Sequence, residues 1–189
     1  FKKKNFHFKK KNTPADEIRF ALESNVGKFV VDNLYELELL NEICGEMGKK
    51  ANISFRIKPG VDAHTHNFIR TGQIDSKFGF ALETGEAFEA VKRAQMYDNV
   101  NLTELHCHIG SQIFDIDPFV TAAEIMLDFM GKIHDELGIV ISELNLGGGF
   151  GIMYTKDDEP VPYENYMEKV SEAGKGKGKK NGTSFPVFF

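Results

Sequence analysis

The sequence predicts an α/β protein built around a parallel sheet. Short apolar segments alternate along the chain with longer segments in which apolar residues recur every three or four positions. This alternation is typical of parallel strands joined by helical crossovers. Apolar residues make up 41% of the 189-residue chain, which is enough for a packed core. The alternation leaves two architectures open, because a small doubly wound sheet and part of an eight-stranded (β/α)8 barrel share it.

Four predicted strands are clear and a fifth is doubtful. The doubtful strand lies around His7, between two runs of lysine. The clear strands are residues 28–32, 52–57, 101–109 and 139–146. Short strand-helix-strand connections place consecutive strands side by side, so we predict that these four are adjacent and parallel in sequence order.

Helices are predicted between these strands, with recognisable signals at their ends. They cover residues 14–23, 34–47, 84–95 and 118–137. Thr13 and Asp117 are the predicted N-caps, because their side-chain oxygens accept hydrogen bonds from free backbone N–H groups. Gly48 and Gly138 are the predicted stops, since glycine adopts the left-handed conformation that commonly ends a helix.

Composition divides the chain into three segments. Residues 1–12 form an atypical lysine-rich segment, residues 13–173 a globular domain, and residues 174–189 a low-complexity tail in which glycine and lysine alternate. A helical pattern that begins after Tyr166 is predicted to break at Gly174. The net charge of −5 conceals a more acidic middle, which carries all 28 acidic residues and only 13 basic ones. An acidic body repels phosphate backbones, so no nucleic-acid partner is expected.

The same composition bears on the cellular location. No run of apolar residues is long enough to span a membrane, and no apolar stretch follows the first lysines as a secretory signal requires. Cys44 and Cys107 are the only cysteines, too few for a disulfide framework. Both are expected to be buried packing residues. A cytoplasmic protein is therefore expected, with no membrane partner.

Two segments at predicted strand ends carry residues suited to chemistry. His106 and His108 alternate with Cys107, so they share one face of a strand, and Ser111 follows in a tight turn. Gly147, Gly148 and Gly149 leave the backbone bare, so that successive N–H groups can converge on a phosphate. Simpler interpretations stay open, because a glycine run also makes a flexible turn and paired strand histidines are often core residues.

A third segment is the long polar loop between residues 58 and 80. Loops of this length are usually functional or disordered. His64 and His66 in this loop are either metal ligands or exposed loop histidines.

These segments together resemble the pyridoxal-phosphate-dependent amino-acid decarboxylases, and most closely diaminopimelate decarboxylases. The similar motifs are PGVDAHTH at 59–66, TGQIDSKFG at 71–79, HCHIGSQ at 106–112 and LGGGFG at 146–151, followed by Tyr154. They occur in the family's order and at comparable spacing. The resemblance covers about residues 13–166.

The resemblance implies a fold, a reaction and a set of site residues. The fold would be an alanine-racemase-like (β/α)8 barrel, of which residues 13–173 supply four to five parallel strands. The reaction would be the decarboxylation of meso-diaminopimelate to L-lysine, an amino-acid biosynthetic step, by a cytoplasmic homodimer. His108 would stack on the cofactor ring as the catalytic residue, while Ser111, Gly147, Gly148 and Gly149 would hold the phosphate. Arg70 and Lys77 would lie near the cofactor.

The family's other motifs are not found in this sequence. The Schiff-base lysine belongs on the first barrel strand, and a Glu-Pro-Gly-Arg motif and a β-domain belong after Tyr166. We therefore expect an incomplete piece of such an enzyme, inactive when isolated. Two alternatives remain: a metal-dependent barrel hydrolase that uses the His106 and His108 pair, and a non-catalytic pyridoxal-phosphate-binding barrel protein.

Overall fold

The computed structural model describes residues 6–9, 13–61, 78–181 and 187–188. Strands and helices alternate along these residues. The strands are β1 (His7–Phe8), β2 (Lys28–Val31), β3 (Ala51–Lys58), β4 (Phe80–Ala81), β5 (Val100–His106), β6 (Glu143–Asn145) and β7 (Val187–Phe188). The helices are α1 (Ala15–Glu23), α2 (Leu34–Glu46), α3 (Glu86–Ala94), α4 (Asp117–Leu137) and α5 (Tyr163–Asn181). His64, His66, Arg70 and Lys77 lie outside the described residues.

All the strands pair in parallel, in the order β1-β2-β3-β5-β6-β7, with the short β4 pairing separately with β3. This order confirms the prediction that the four clear strands are adjacent and parallel. The doubtful strand is also real, because His7 pairs with Lys28 and Phe8 with Phe29. The two-residue β4 was not predicted, since so short a strand depends on its partner in β3 rather than on its own sequence pattern.

The two faces of the sheet differ in chemistry. Phe29, Ile53 and Phe55 face the helices and belong to one buried core that includes residues of all five helices. The opposite face is polar, and its side chains contact one another across the strands, as Lys28 does with Glu104. Helices on one face only are the arrangement of a barrel wall, whereas a doubly wound sheet carries helices on both faces. The structure thereby resolves the choice that periodicity left open, as a half-barrel of five parallel strands, β1, β2, β3, β5 and β6.

Helix ends follow the predicted glycine stops more closely than the predicted N-caps. Gly138 caps α4 with a φ of 68°, and its N–H donates to the carbonyl of His134 at 2.8 Å. Gly48 has a φ of 62° just beyond α2. The N-cap predictions were each displaced by one residue. Pro14 rather than Thr13 precedes α1, and Asp117 is the first residue of α4 instead of its cap.

The predicted break at Gly174 was wrong, because α5 continues to Asn181. The start of this helix is held by Tyr166 and Val170, which are fully buried, and α5 packs against α4. Extending a helix that is already formed costs much less than nucleating one, so the helix runs on through glycines that would not start it. The short β7 then pairs with β6.

Candidate functional site

The ends of β5 and β6 lie side by side and lead into the two loops that the sequence singled out. The amide of Cys107 donates to the carbonyl of Asn145 at 2.9 Å, which joins the strand ends. Further along the chain, the amide of Ile113 donates to the carbonyl of Gly149 at 2.9 Å. The amide of Gly151 donates to the carbonyl of Ile113 at 2.8 Å. The structure therefore brings the Ser111 turn and the glycine loop, residues 147–149, together at one end of the sheet.

This contact requires glycine at two positions of the glycine loop. A Cβ at Gly149 would lie 2.0 Å from the carbonyl oxygen of Gly110, and one at Gly147 would lie 2.6 Å from that of Cys107. Both residues also have positive φ, +106° and +76°. A Cβ at Gly148 would meet no protein atom within 4 Å. The loop thus packs tightly at its two outer glycines and is open at the middle one.

The backbone amides of the loop are not equivalent. The Gly147 amide donates to Oδ1 of Asn145 at 2.9 Å and is therefore engaged within the protein. Among the described residues, the amides of Gly148 and Gly149 donate to no protein acceptor. Ser111, across from Gly149, is exposed. This end of the sheet consequently presents two amides and a hydroxyl that suit an anion.

The two histidines flank Gly147 from different depths. His106 is 5% exposed, and its nitrogens contact Nζ of Lys9 at 2.8 Å and Oδ1 of Asn145 at 3.2 Å. Burial, followed by the Lys9 cation, lowers the pKa of His106 to about 4. His108 is more exposed, and the surrounding protein together with Lys9 and Arg56 lowers its pKa as well. His106 is therefore neutral at neutral pH, and a neutral His108 ring is favoured.

The described residues offer little to a metal ion. They contain no group of three or more histidine, cysteine or acidic side chains placed to hold one. Both nitrogens of His106 are engaged, one of them by the Lys9 ammonium, which itself has no lone pair to give a metal. Within the described part of the chain, the His106 and His108 pair is therefore not joined by a third metal ligand.

Sequence reasoning missed three residues near these histidines: Lys9, Arg56 and Asn145. Lys9 was assigned to an atypical lysine-rich segment, yet burial and then the Arg56 cation lower its pKa inside the half-barrel. Arg56 forms an ion pair with Asp32, in which Nη1 and Oδ2 lie 3.8 Å apart. The available signal was the alternation of strand side chains, which places Lys9 on the same face as His7 once β1 is accepted as a strand.

A cavity of about 930 Å³ does not include the glycine loop in its lining. It is lined by the first residues of several strands and the loops before them, among them Lys28 and Ala51, and by Asn145. Glu104 and Glu143 lie at its polar wall, where both contact Lys28. Ligands of parallel α/β folds bind at the carboxyl ends of the strands, so we assign the candidate site to the glycine loop and not to this cavity.

The fold and this loop pair are those of a known family. The family model described as "Pyridoxal-dependent decarboxylase, pyridoxal binding domain" matches residues 1–183, and the chain belongs to that family, whose cofactor is pyridoxal phosphate. The match extends beyond residues 13–166, where the motifs lie. It includes the lysine-rich first residues and most of the glycine-lysine segment, both of which composition had set apart from the globular domain.

Several similar proteins share one name, diaminopimelate decarboxylase. The chain is 45% identical over 186 residues to a diaminopimelate decarboxylase of Bacillus subtilis, covering 98% of this chain and 42% of that protein. It is 41% identical to the Staphylococcus aureus enzyme of the same name, with the same coverages. The crystal structure of diaminopimelate decarboxylase from M. jannaschii matches with a TM-score of 0.89 at 36% identity, covering 98% of this chain and 42% of that one. The chain thus spans about two fifths of the length of these relatives.

Among the described residues, no helix is both long and apolar enough to cross a membrane.

Proposed function

We propose that this chain forms the cofactor-holding part of a diaminopimelate decarboxylase, an enzyme that releases CO₂ from meso-diaminopimelate and yields L-lysine. The observation that carries the proposal is the junction of the Ser111 turn with the glycine loop at the carboxyl ends of β5 and β6. Relatives at 41% to 45% identity bear that enzyme's name. A related crystal structure is a complex with L-lysine, the product of this reaction.

The residues present fit the phosphate of pyridoxal phosphate. Side chains at Gly147 and Gly149 would collide with the carbonyl oxygens of Cys107 and Gly110, so the loop is restricted to bare backbone there. The open space at Gly148 and the amides of Gly148 and Gly149 suit a phosphate dianion, which backbone N–H groups bind without a partner side chain. The exposed Ser111 hydroxyl adds a donor from the facing loop. Gly147 would shape the site through its conformation, because its own amide is taken by Asn145.

His108 suits the cofactor ring. Its lowered pKa favours the neutral imidazole, which is a flat aromatic surface that can stack on a pyridine ring. Lys9 and Arg56, whose charges lower that pKa, also make the strand ends favourable for an anionic cofactor and a carboxylate-bearing substrate. When bound, pyridoxal phosphate supplies an electron sink for the loss of CO₂. The protein's part is to hold, orient and screen it from water.

The remaining properties of the complete enzyme belong to the same proposal. Its substrate would be a small amino acid, and we propose a cytoplasmic homodimer with no nucleic-acid or membrane partner. The acidic middle of the chain disfavours a nucleic-acid partner, and its two unpaired cysteines suit the reducing cytoplasm.

The test is an activity assay of the complete protein encoded by the gene. With pyridoxal phosphate and meso-diaminopimelate, we expect equal amounts of CO₂ and L-lysine, measured by gas release and chromatography. Ornithine and arginine are the control substrates. Cofactor binding without CO₂ release would indicate the non-catalytic alternative. Activity that requires an added divalent metal and no cofactor would contradict the proposal.

A further inference from the structure

A line of hydrogen bonds runs beneath the glycine loop and crosses three strand ends. Lys9, just after β1, contacts Nε2 of His106 at 2.8 Å. Nδ1 of His106, the last residue of β5, contacts Oδ1 of Asn145 at 3.2 Å. The same oxygen of Asn145, at the end of β6, accepts the Gly147 amide at 2.9 Å. A side chain from the far edge of the sheet is therefore connected to the first glycine of the loop.

Only one assignment of protons satisfies every group in this line. Lysine has donors and no acceptor when charged, so Nε2 of His106 accepts from Lys9. The ring proton then resides on Nδ1 and is donated to Oδ1 of Asn145, whose second lone pair accepts the Gly147 N–H. Each of the three hydrogen bonds then has one donor and one acceptor, and a connected polar network of this kind orients its members firmly.

The network holds the first residue of the glycine loop. Because Asn145 holds the Gly147 N–H, the chain turns immediately after β6, with Gly147 at a φ of +76°. The amides of Gly148 and Gly149 follow from that turn and donate to no acceptor among the described residues. If the carboxamide were lost, Gly147 would be free to rotate, and the following amides would lose their common direction.

We propose that Asn145 is a positioning residue for the cofactor phosphate, held in place by His106 and, through it, by Lys9. Asn145 need not touch the cofactor, since it acts through the amide of Gly147. The inference rests on the proposed function, because it assumes that the glycine loop receives the phosphate of pyridoxal phosphate.

The test compares two ligands that differ only in the phosphate. Equilibrium dissociation constants for pyridoxal 5′-phosphate and for pyridoxal are measured by fluorescence on the complete gene product. For Asn145→Ala we expect about a 10-fold weaker affinity for pyridoxal phosphate, the loss of roughly one hydrogen bond's effect, with the affinity for pyridoxal unchanged. Asn145→Ser should lie nearer to the wild type, because a serine hydroxyl can also accept the N–H two residues ahead.

The matched control is Asn101→Ala, which removes an asparagine side chain that bonds Asn52 at 3.2 Å near the opposite end of β5. It should leave both affinities unchanged. Equal weakening of both ligands by Asn145→Ala, or no weakening of either, would overturn the inference. If circular dichroism shows that Asn145→Ala does not fold, His106→Phe is measured in its place. A ratio of the affinities for pyridoxal phosphate and pyridoxal that equals the wild-type ratio would then overturn the inference. A wild-type protein that binds both ligands alike would instead contradict the proposed function.

Discussion

Lys28 and Glu104 form a buried ion pair with 2.8 Å between Nζ and Oε2, although β3 lies between their strands. Lys28 also contacts Glu143 of β6 at 2.8 Å. In a flat sheet, β2 and β6 would be separated by about 14 Å, because they lie three places apart and neighbouring strands are about 4.8 Å apart. The inward curvature of the half-barrel brings Lys28 and Glu143 together, so their ion pair reports on the curvature of the fold.

The first prediction concerns the free energy of unfolding. Lys28→Met leaves the carboxylate of Glu104, which is 1% exposed, without its nearest cation. We expect a loss of about 3 kcal/mol, because removing one partner of a buried pair leaves an uncompensated charge. Chemical denaturation of the complete gene product measures the change. Lys92→Met, which removes an exposed pair with Glu89, is the control and should cost under about 0.5 kcal/mol.

The second prediction is a loss of stability in mild acid that originates at His106. Its pKa is lowered from 6.5 to about 4, so below pH 6.5 the unfolded chain binds a proton that the folded protein excludes. Stability is thus fully present above pH 6.5 and falls as the pH is lowered towards 4, by up to about 3 kcal/mol. In His106→Gln, the free energy of unfolding should depend less on pH across this range, as measured by denaturation at a series of pH values. If its dependence on pH is the same as in the wild type, groups other than His106 cause the loss of stability.

The third prediction concerns the two glycines of the loop that differ in their surroundings. Gly149→Ala places a methyl group against the Gly110 carbonyl at a φ of +106°, so we expect a destabilisation of at least about 2 kcal/mol and weaker cofactor binding. Gly148→Ala is the steric control, since its Cβ meets no protein atom within 4 Å. Thermal unfolding of both variants measures the difference. Equal stability of the two variants would contradict the prediction, because it would show that the glycine loop can move away from the Gly110 carbonyl at little cost.

The fourth prediction is that both cysteines are unreactive in the folded protein. Cys44 and Cys107 are both fully buried, which confirms their interpretation as packing residues. Burial raises the pKa of Cys44 to about 11 and that of Cys107 to about 12. The thiolate is the reactive form, so iodoacetamide at pH 8 should modify neither residue until denaturant is added. Mass spectrometry counts the adducts. Rapid modification of Cys107 in the native state would contradict its burial.

Local patterns were sufficient for the strands and for most helix boundaries. The apolar runs that became β2, β3, β5 and β6 are readable because each pairs with its sequential neighbour, and left-handed glycines such as Gly138 end helices through their own backbone freedom. The turn at Ser111 and the glycine loop were also visible, since both follow strands directly. Parallel strands end at a common edge, so the meeting of these loops could be expected from order alone.

The sequence by itself determined the strand order, the glycine stops and the glycine loop, because these depend on residues that are close in the chain. Only the tertiary structure decided that the sheet curves into a barrel wall, that Lys9 reaches His106 across 97 positions, and that His106 contacts Asn145 on the neighbouring strand. Contacts between distant residues leave no periodic signal in a single sequence, since their geometry is set by sheet curvature and packing. The polar network at the site is of this kind.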